Sequence, residues 1–376
     1  MSSNKVHFRN LDGIRFVLAM MVILGHSMFD QPLNKLWDNN YFHEFTRALC
    51  NGSEAVSFFF TLSGFLITYL LIKEKEETGI VNIGKFYMRR ILRIWPVYYF
   101  VVIFGFFIYP FLKSLVGWET SLPNSLLLHA LFLGNFDSIN THTNHLVGLP
   151  PMMISIAWSV SIEEQFYLIW PLLFVKKIRF LPIILILIII FSYLYILNTP
   201  NTGAQHYYHT FARVKELAFG ALVGYMVYYY EGFVNFFRKL SKKSILSIYL
   251  FGISFYIYPE IYFYLNSGFI PSILLSLFYL FIICEQNFSD NSFYKFGNWK
   301  FISSQGKYTY GFYMLHPIGI QAAIVIFKLL KINNQDNFSY GIIYVLISVI
   351  LAYLVTRLSY RFLESYFMGL KNNFNV

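Results

Sequence analysis

The sequence predicts an all-α integral membrane protein of about ten transmembrane helices plus one short re-entrant or interfacial segment, with both termini cytoplasmic. Hydrophobic residues fill 57% of the 376 positions and charged residues only 13%, where a soluble domain carries about 25% charge. Apolar runs of bilayer length recur from end to end, such as FLPIILILIIIFSYLYIL (180–197) and GIIYVLISVILAYLVTRLSY (341–360). Only helices and closed barrels satisfy the backbone in lipid, and these runs are too long and too continuously apolar for barrel strands. Lysines and arginines gather in short loops, as orientation in a membrane requires. The net charge of +10 therefore belongs to topology and is not a nucleic-acid signal.

Reading the loop charges in order threads the chain. Lys5 and Arg9 place the N-terminus inside, so helix 11–29 runs outward. Helix 54–72 returns to the densest basic cluster, Lys73, Lys75, Lys85, Arg89, Arg90 and Arg93, and 94–112 runs out again. The stretch SLLLHALFLGNF (125–136) is short for a span, and 137–157 holds no Lys or Arg, so both its flanks lie outside. Helix 159–175 then descends to Lys176, Lys177 and Arg179. Helices 179–197 and 211–230, the pair 245–260 and 268–284, and the pair 309–328 and 341–360 complete the threading. Arg213 and Lys215 run against the pattern, at an outer end. The expectation is one transmembrane domain over 1–376, with no cleavable leader and no appended soluble domain. Cys50 and Cys284 fall on opposite sides, so no disulfide between them is expected, and no metal-ligand spacing occurs.

Five stretches place polar groups where hydrocarbon makes them costly. In LDGIRFVLAMMVILGHSMF (11–29), Asp12, Arg15, Ala19, Val22 and His26 form one stripe at three- and four-residue spacing. Arg15 and His26 are ~16 Å apart along the axis, the first near the inner end and the second near the outer. Such a face suits a lined pore; the alternative is an interfacial Asp12–Arg15 pair and a His26 among headgroups. In AWSVSIEEQFYLIWP (157–171), Ser161-x-x-Glu164 reads as a capping box. Glu163 points elsewhere, at a depth like that of His26, and a carboxylate beside an imidazole serves general-base catalysis. The alternative is a solvated helix start favoured by the dipole.

In FYMRRILRIWP (86–96), Arg90 and Arg93 share a face beside Arg89. They suit phosphate binding, and equally positive-inside anchoring. In FFFTLSGFLI (58–67), Ser63–Gly64 serves close packing or exposes a hydroxyl to a cavity. In YTYGFYMLHPIG (308–319), Tyr310 and His316 are candidates for lining a cavity. His316 precedes Pro317, which frees a helix carbonyl that the imidazole could instead bond.

Taken together and in this order, the five stretches resemble the membrane acyltransferase 3 family. Arg15 and His26 match its basic-x10-His signature, and FFFTLSGFLITYLL, RRILRIWPVYY, WSVSIEEQFYLIWP and YTYGFYMLHPI are similar to its later motifs. The late motif lacks a residue that many members carry between its histidine and proline. The resemblance covers roughly residues 8 to 365 and implies a ten-helix O-acyltransferase of the bacterial cytoplasmic (inner) membrane. It implies acyl-CoA, in most members acetyl-CoA, as cytoplasmic donor substrate with no permanently bound cofactor. The implied acceptor is a carbohydrate hydroxyl, with a partner protein in glycan assembly as a further expectation. On this reading His26 is the general base supported by Glu163, and Arg15, Arg89, Arg90 and Arg93 hold the CoA phosphates. Asp12, Ser63, Glu164, Tyr310 and His316 are candidates for the cavity lining. The rival is a multi-span transporter or flippase of a glycan or sugar-lipid, in which the same His, Glu and Arg form a proton or substrate pathway; no inverted repeat is visible to support it.

Overall fold

Each long apolar run forms a helix, and no strand occurs among the described residues. The computed structural model describes residues 8–28, 50–115, 125–143, 152–175, 178–200, 203–257, 269–332 and 338–374. Lys5, Lys176 and Lys177, used above to orient the chain, lie outside them. Helix α1 is Arg9–Met28, α2 is Gly52–Thr78 and α3 is Ile83–Ile103, continued by a π-turn and a last helical stretch to Leu115. Helix α2 begins where the Asn51 side chain accepts the Glu54 N–H, and stops at Gly79, whose φ of 78° lets its N–H reach the Lys75 carbonyl.

The expected re-entrant stretch is two short helices, α4 (Leu126–Ala130) and α5 (Gly134–Thr143), neither long enough to cross. The Tyr98 and Tyr99 hydroxyls of α3 donate to the His129 and Ala130 carbonyls at 2.8 and 3.0 Å. Helix α6 is Ala157–Ile169, followed by a 3-10 turn that starts at Trp170–Pro171. Then come α7 (Leu181–Asn198), α8 (Thr210–Tyr229), α9 (Lys242–Ile257), α10 (Phe269–Phe288), α11 (Thr309–Leu329) and α12 (Phe338–Ser359).

Among the described residues, seven helical segments are long and apolar enough to cross a membrane, and the molecule is a polytopic membrane protein. The other three expected crossings are helices that fall short of that measure. Helix α6 has 13 residues before its proline turn, α9 has 16, and α8 carries Arg213, Lys215 and Glu216. These charges also explain the anomaly at the outer end. Arg213 and Lys215 are buried and pair with Glu216 at 3.4 and 3.0 Å, so they are internal ions and not loop charges that set orientation.

Glycines set the central contact. A Cβ on Gly64 of α2 would overlap the Leu217 carbonyl of α8, and one on Gly220 would overlap the Thr61 carbonyl. The two backbones therefore touch, as small residues allow in membranes. On the outside, Ile183, Leu187, Ile190 and Leu194 form an exposed stripe along α7, and Leu346, Ile350, Leu354 and Leu358 one along α12. In a polytopic membrane protein such exposed apolar stripes are lipid-facing surfaces.

The Ser161–Glu164 capping box does not form. Helix α6 starts at Ala157, so both residues lie in its interior: the Ser161 hydroxyl returns to the Ala157 carbonyl at 2.9 Å. Glu164 Oε2 instead accepts the Trp95 indole N–H at 2.9 Å.

Candidate active site

Helices α1, α2, α3, α6 and α11 enclose a cavity of about 250 Å³ whose polar wall is Asp12, Arg15, Ser63, Arg90, Arg93 and Glu163. Each helix contributes for a local reason. On α1, Asp12 and Arg15 are one turn apart, and Asp12 Oδ1 accepts from Arg15 Nη1 at 3.4 Å. On α2, Gly64 lies against α8, which turns the neighbouring Ser63 toward α6; its hydroxyl donates to Glu163 Oε1 at 2.6 Å. Ser63–Gly64 thus does both things that the sequence left open. On α3, Arg90 and Arg93 share one face, and Arg90 lies over the rings of Phe86 and Tyr167 at 5.6 and 5.5 Å. Three guanidiniums face two carboxylates, so the cavity keeps an excess of positive charge in a low-dielectric setting where an anion is bound strongly.

Arg89 is not part of this wall. It pairs with Glu74 Oε2 at 3.0 Å and donates to the Phe374 carbonyl at 3.0 Å, fastening the end of the described chain to α3. It points about 100° away from Arg90 around the helix, which is why one joins the cavity and the other does not. Glu164 is likewise outside it, on Trp95. Tyr310 lines the cavity, and its hydroxyl donates to the Ile94 carbonyl at 2.8 Å.

The structure separates the expected His26–Glu163 pair. Glu163 shares the arginine cavity with Arg15, at the other end of α1 from His26. His26 instead meets His316: its Nδ1 is 2.7 Å from His316 Nε2. Nδ1 of His316 is 2.6 Å from the Tyr313 carbonyl. That carbonyl would accept the N–H of residue 317 in a regular helix, and Pro317 has none. His316 is fully buried and His26 half-buried. Tyr313 joins the two regions, for it lines the cavity, with its hydroxyl 2.7 Å from Ser159 Oγ, while its carbonyl faces His316. Cys50 also lies beside α1 near His26, its carbonyl against Gly25. Burial pushes its thiol up to about 11, which disfavours the reactive thiolate.

Sequence reasoning missed Tyr167, Ser159 and Tyr313, all on the cavity wall. Tyr167 stands four residues after Glu163 and Tyr313 three before His316, so helical spacing from the residues already chosen could have found them.

Along most of its length the chain is similar to known proteins. The model of the acyltransferase 3 family, described as an acyltransferase domain, matches residues 8–357. The O-acetyltransferase OatA of Staphylococcus aureus strain NCTC 8325 / PS 47 is 26% identical over 375 residues, covering 94% of this chain and 56% of the relative. OatA of strain COL matches to the same extent. A provisionally named O-acetyltransferase of that strain, SACOL0978, is 26% identical over 386 residues, covering 95% of this chain and 56% of its own length. The chain thus spans about half the length of the curated relatives it matches. No solved structure matches it.

Proposed function

The chain belongs to the acyltransferase 3 family, and from that premise we propose that it transfers an acyl group from cytoplasmic acyl-CoA to a hydroxyl of a cell-surface or exported carbohydrate. The names of its relatives favour acetyl as the group. One observation carries the reading: Arg15, Arg90 and Arg93 converge on a cavity floored by the Ser63–Glu163 pair, along the helix that bears His26. Guanidiniums suit the phosphates of CoA, whose slim pantetheine arm can extend along α1 toward His26. Ten crossings with both termini in the cytoplasm belong to this reading, as does residence in the bacterial cytoplasmic membrane. A glycan-assembly protein is the natural partner.

In this mechanism His26 accepts the proton of the acceptor hydroxyl as its oxygen attacks the thioester carbonyl carbon. Collapse of the adduct breaks the C–S bond, and the leaving CoA thiolate takes that proton from the imidazolium. A base so placed supplies ~10²–10⁴ of the rate, and the rest comes from positioning and oxyanion stabilisation. Glu163 has a different task from the one expected of it: it balances the arginines and holds Ser63.

The test supplies the purified chain in lipid with radiolabelled acetyl-CoA and surface glycans. Label is expected in the glycan, with stoichiometric CoA release. Passage of unmodified glycan across the membrane without thioester turnover would overturn the proposal in favour of a transporter.

A further inference from the structure

Resting on the reading of His26 as base, we infer that His316 is a positioning residue that fixes the tautomer of His26 and leaves its Nε2 as the basic nitrogen. The Tyr313 carbonyl, His316 and His26 form a chain of three hydrogen-bonding groups. A carbonyl only accepts, so the 2.6 Å contact at Tyr313 requires a proton on His316 Nδ1. Among the described residues no carboxylate pairs with either histidine, and His316 is fully buried, so a second proton on its ring would be an uncompensated buried charge. The neutral ring then presents a lone pair at Nε2. The 2.7 Å contact is filled by the N–H of His26 Nδ1 donating into that lone pair. One nitrogen of His26 remains, Nε2, and it carries no proton.

Ring geometry agrees. The centroids are 5.0 Å apart with planes at 21°. With nitrogens at 2.7 Å, that separation places the rings edge to edge in nearly one plane, where an N–H meets a lone pair head-on. Pro317 completes the device. By withholding an N–H from the Tyr313 carbonyl, it leaves that carbonyl to His316. His316 thus does for His26 what the buried carboxylate does in a serine-protease triad, but with a neutral ring and a backbone dipole.

The experiment follows CoA thiol release from acetyl-CoA by the full chain reconstituted in lipid with extracted surface glycan, over pH 5 to 9. The variants are His316→Phe, His316→Gln, Pro317→Ala and His26→Ala. His316→Phe keeps bulk but removes the acceptor, and kcat should fall at least about tenfold at unchanged KM for acetyl-CoA. In His316→Gln an amide oxygen can stand near the old Nε2, and most of the loss should be rescued. Pro317→Ala restores a competing N–H and should lower kcat severalfold while raising thermal stability. Equal losses in His316→Phe and His316→Gln, or wild-type kcat in His316→Phe, would overturn the inference with the base reading intact, provided that His26→Ala is inactive. An active His26→Ala would overturn the base reading, and this inference with it.

Discussion

At the scale of single residues, two neighbouring arginines with the same sequence credentials have different fates. Arg90 faces the cavity and Arg89 faces Glu74 and the Phe374 carbonyl. Their substitutions should therefore part company. A charge-assisted contact contributes ~1.5–3 kcal/mol, so Arg90→Gln or Arg93→Gln should raise KM for acetyl-CoA roughly tenfold or more. Neither should change KM for acetyl-pantetheine, which lacks the nucleotide phosphates. Arg89→Gln should leave both KM values alone and lower only thermal stability. Steady-state kinetics with the two donors separates these outcomes, and an equal rise of both KM values in Arg90→Gln would remove the phosphate assignment. Asp12 pairs with Arg15 and also lines the cavity, the two roles that its spacing suggested. Arg15, Ser63, Arg90, Arg93 and Glu163 were legible because a polar group inside an apolar run announces itself. The His26–His316 contact was not, since 290 residues separate the partners and no local pattern encodes which helices meet.

At the scale of elements, helix periodicity told which residues share a face, and the starts of helices told less. Glu163 was expected level with His26 but lines the cavity with Arg15, and α6 begins at Ala157 without a side-chain cap to mark the start. Close helix contacts were half legible: Ser63–Gly64 suggested packing, but its partner on α8 could be identified only in three dimensions. The Gly64–Leu217 and Gly220–Thr61 contacts leave no room for a methyl group. Gly220→Ala should force α2 and α8 apart, costing roughly 1–3 kcal/mol or more, and should displace Ser63 from Glu163. Gly232→Ala, in open space, should be close to neutral. Thermal unfolding in detergent checks the pair; equal midpoints would mean that the α2–α8 contact does not limit stability.

At the scale of the whole molecule, the sequence reported the environment more fully than the architecture. Composition and apolar runs pointed to a polytopic all-helical chain, which the structure has. Among the described residues, seven segments meet the length and apolarity of a span, where ten crossings were expected. Two of the three differences arise where internal chemistry intrudes, in the buried ions of α8 and the proline turn after α6; the third is α9, with 16 residues among those described. The outer stripes on α7 and α12 imply direct lipid contact, so Ile190→Lys or Ile350→Lys should cost ~2.5–3.5 kcal/mol of insertion. Quantitative blots of membrane fractions should show reduced accumulation, and wild-type levels would place those faces against protein or water instead.

In the proposed mechanism the donor binds in the arginine-lined cavity and extends along α1 to the His26 imidazole. The most direct measurement is acceptor-dependent CoA release from acetyl-CoA by the reconstituted chain, with and without His26→Ala. With His26 as base, His26→Ala should lower kcat ~10²–10⁴-fold at unchanged donor KM, with normal accumulation in the membrane. Near-normal turnover by His26→Ala would contradict that role.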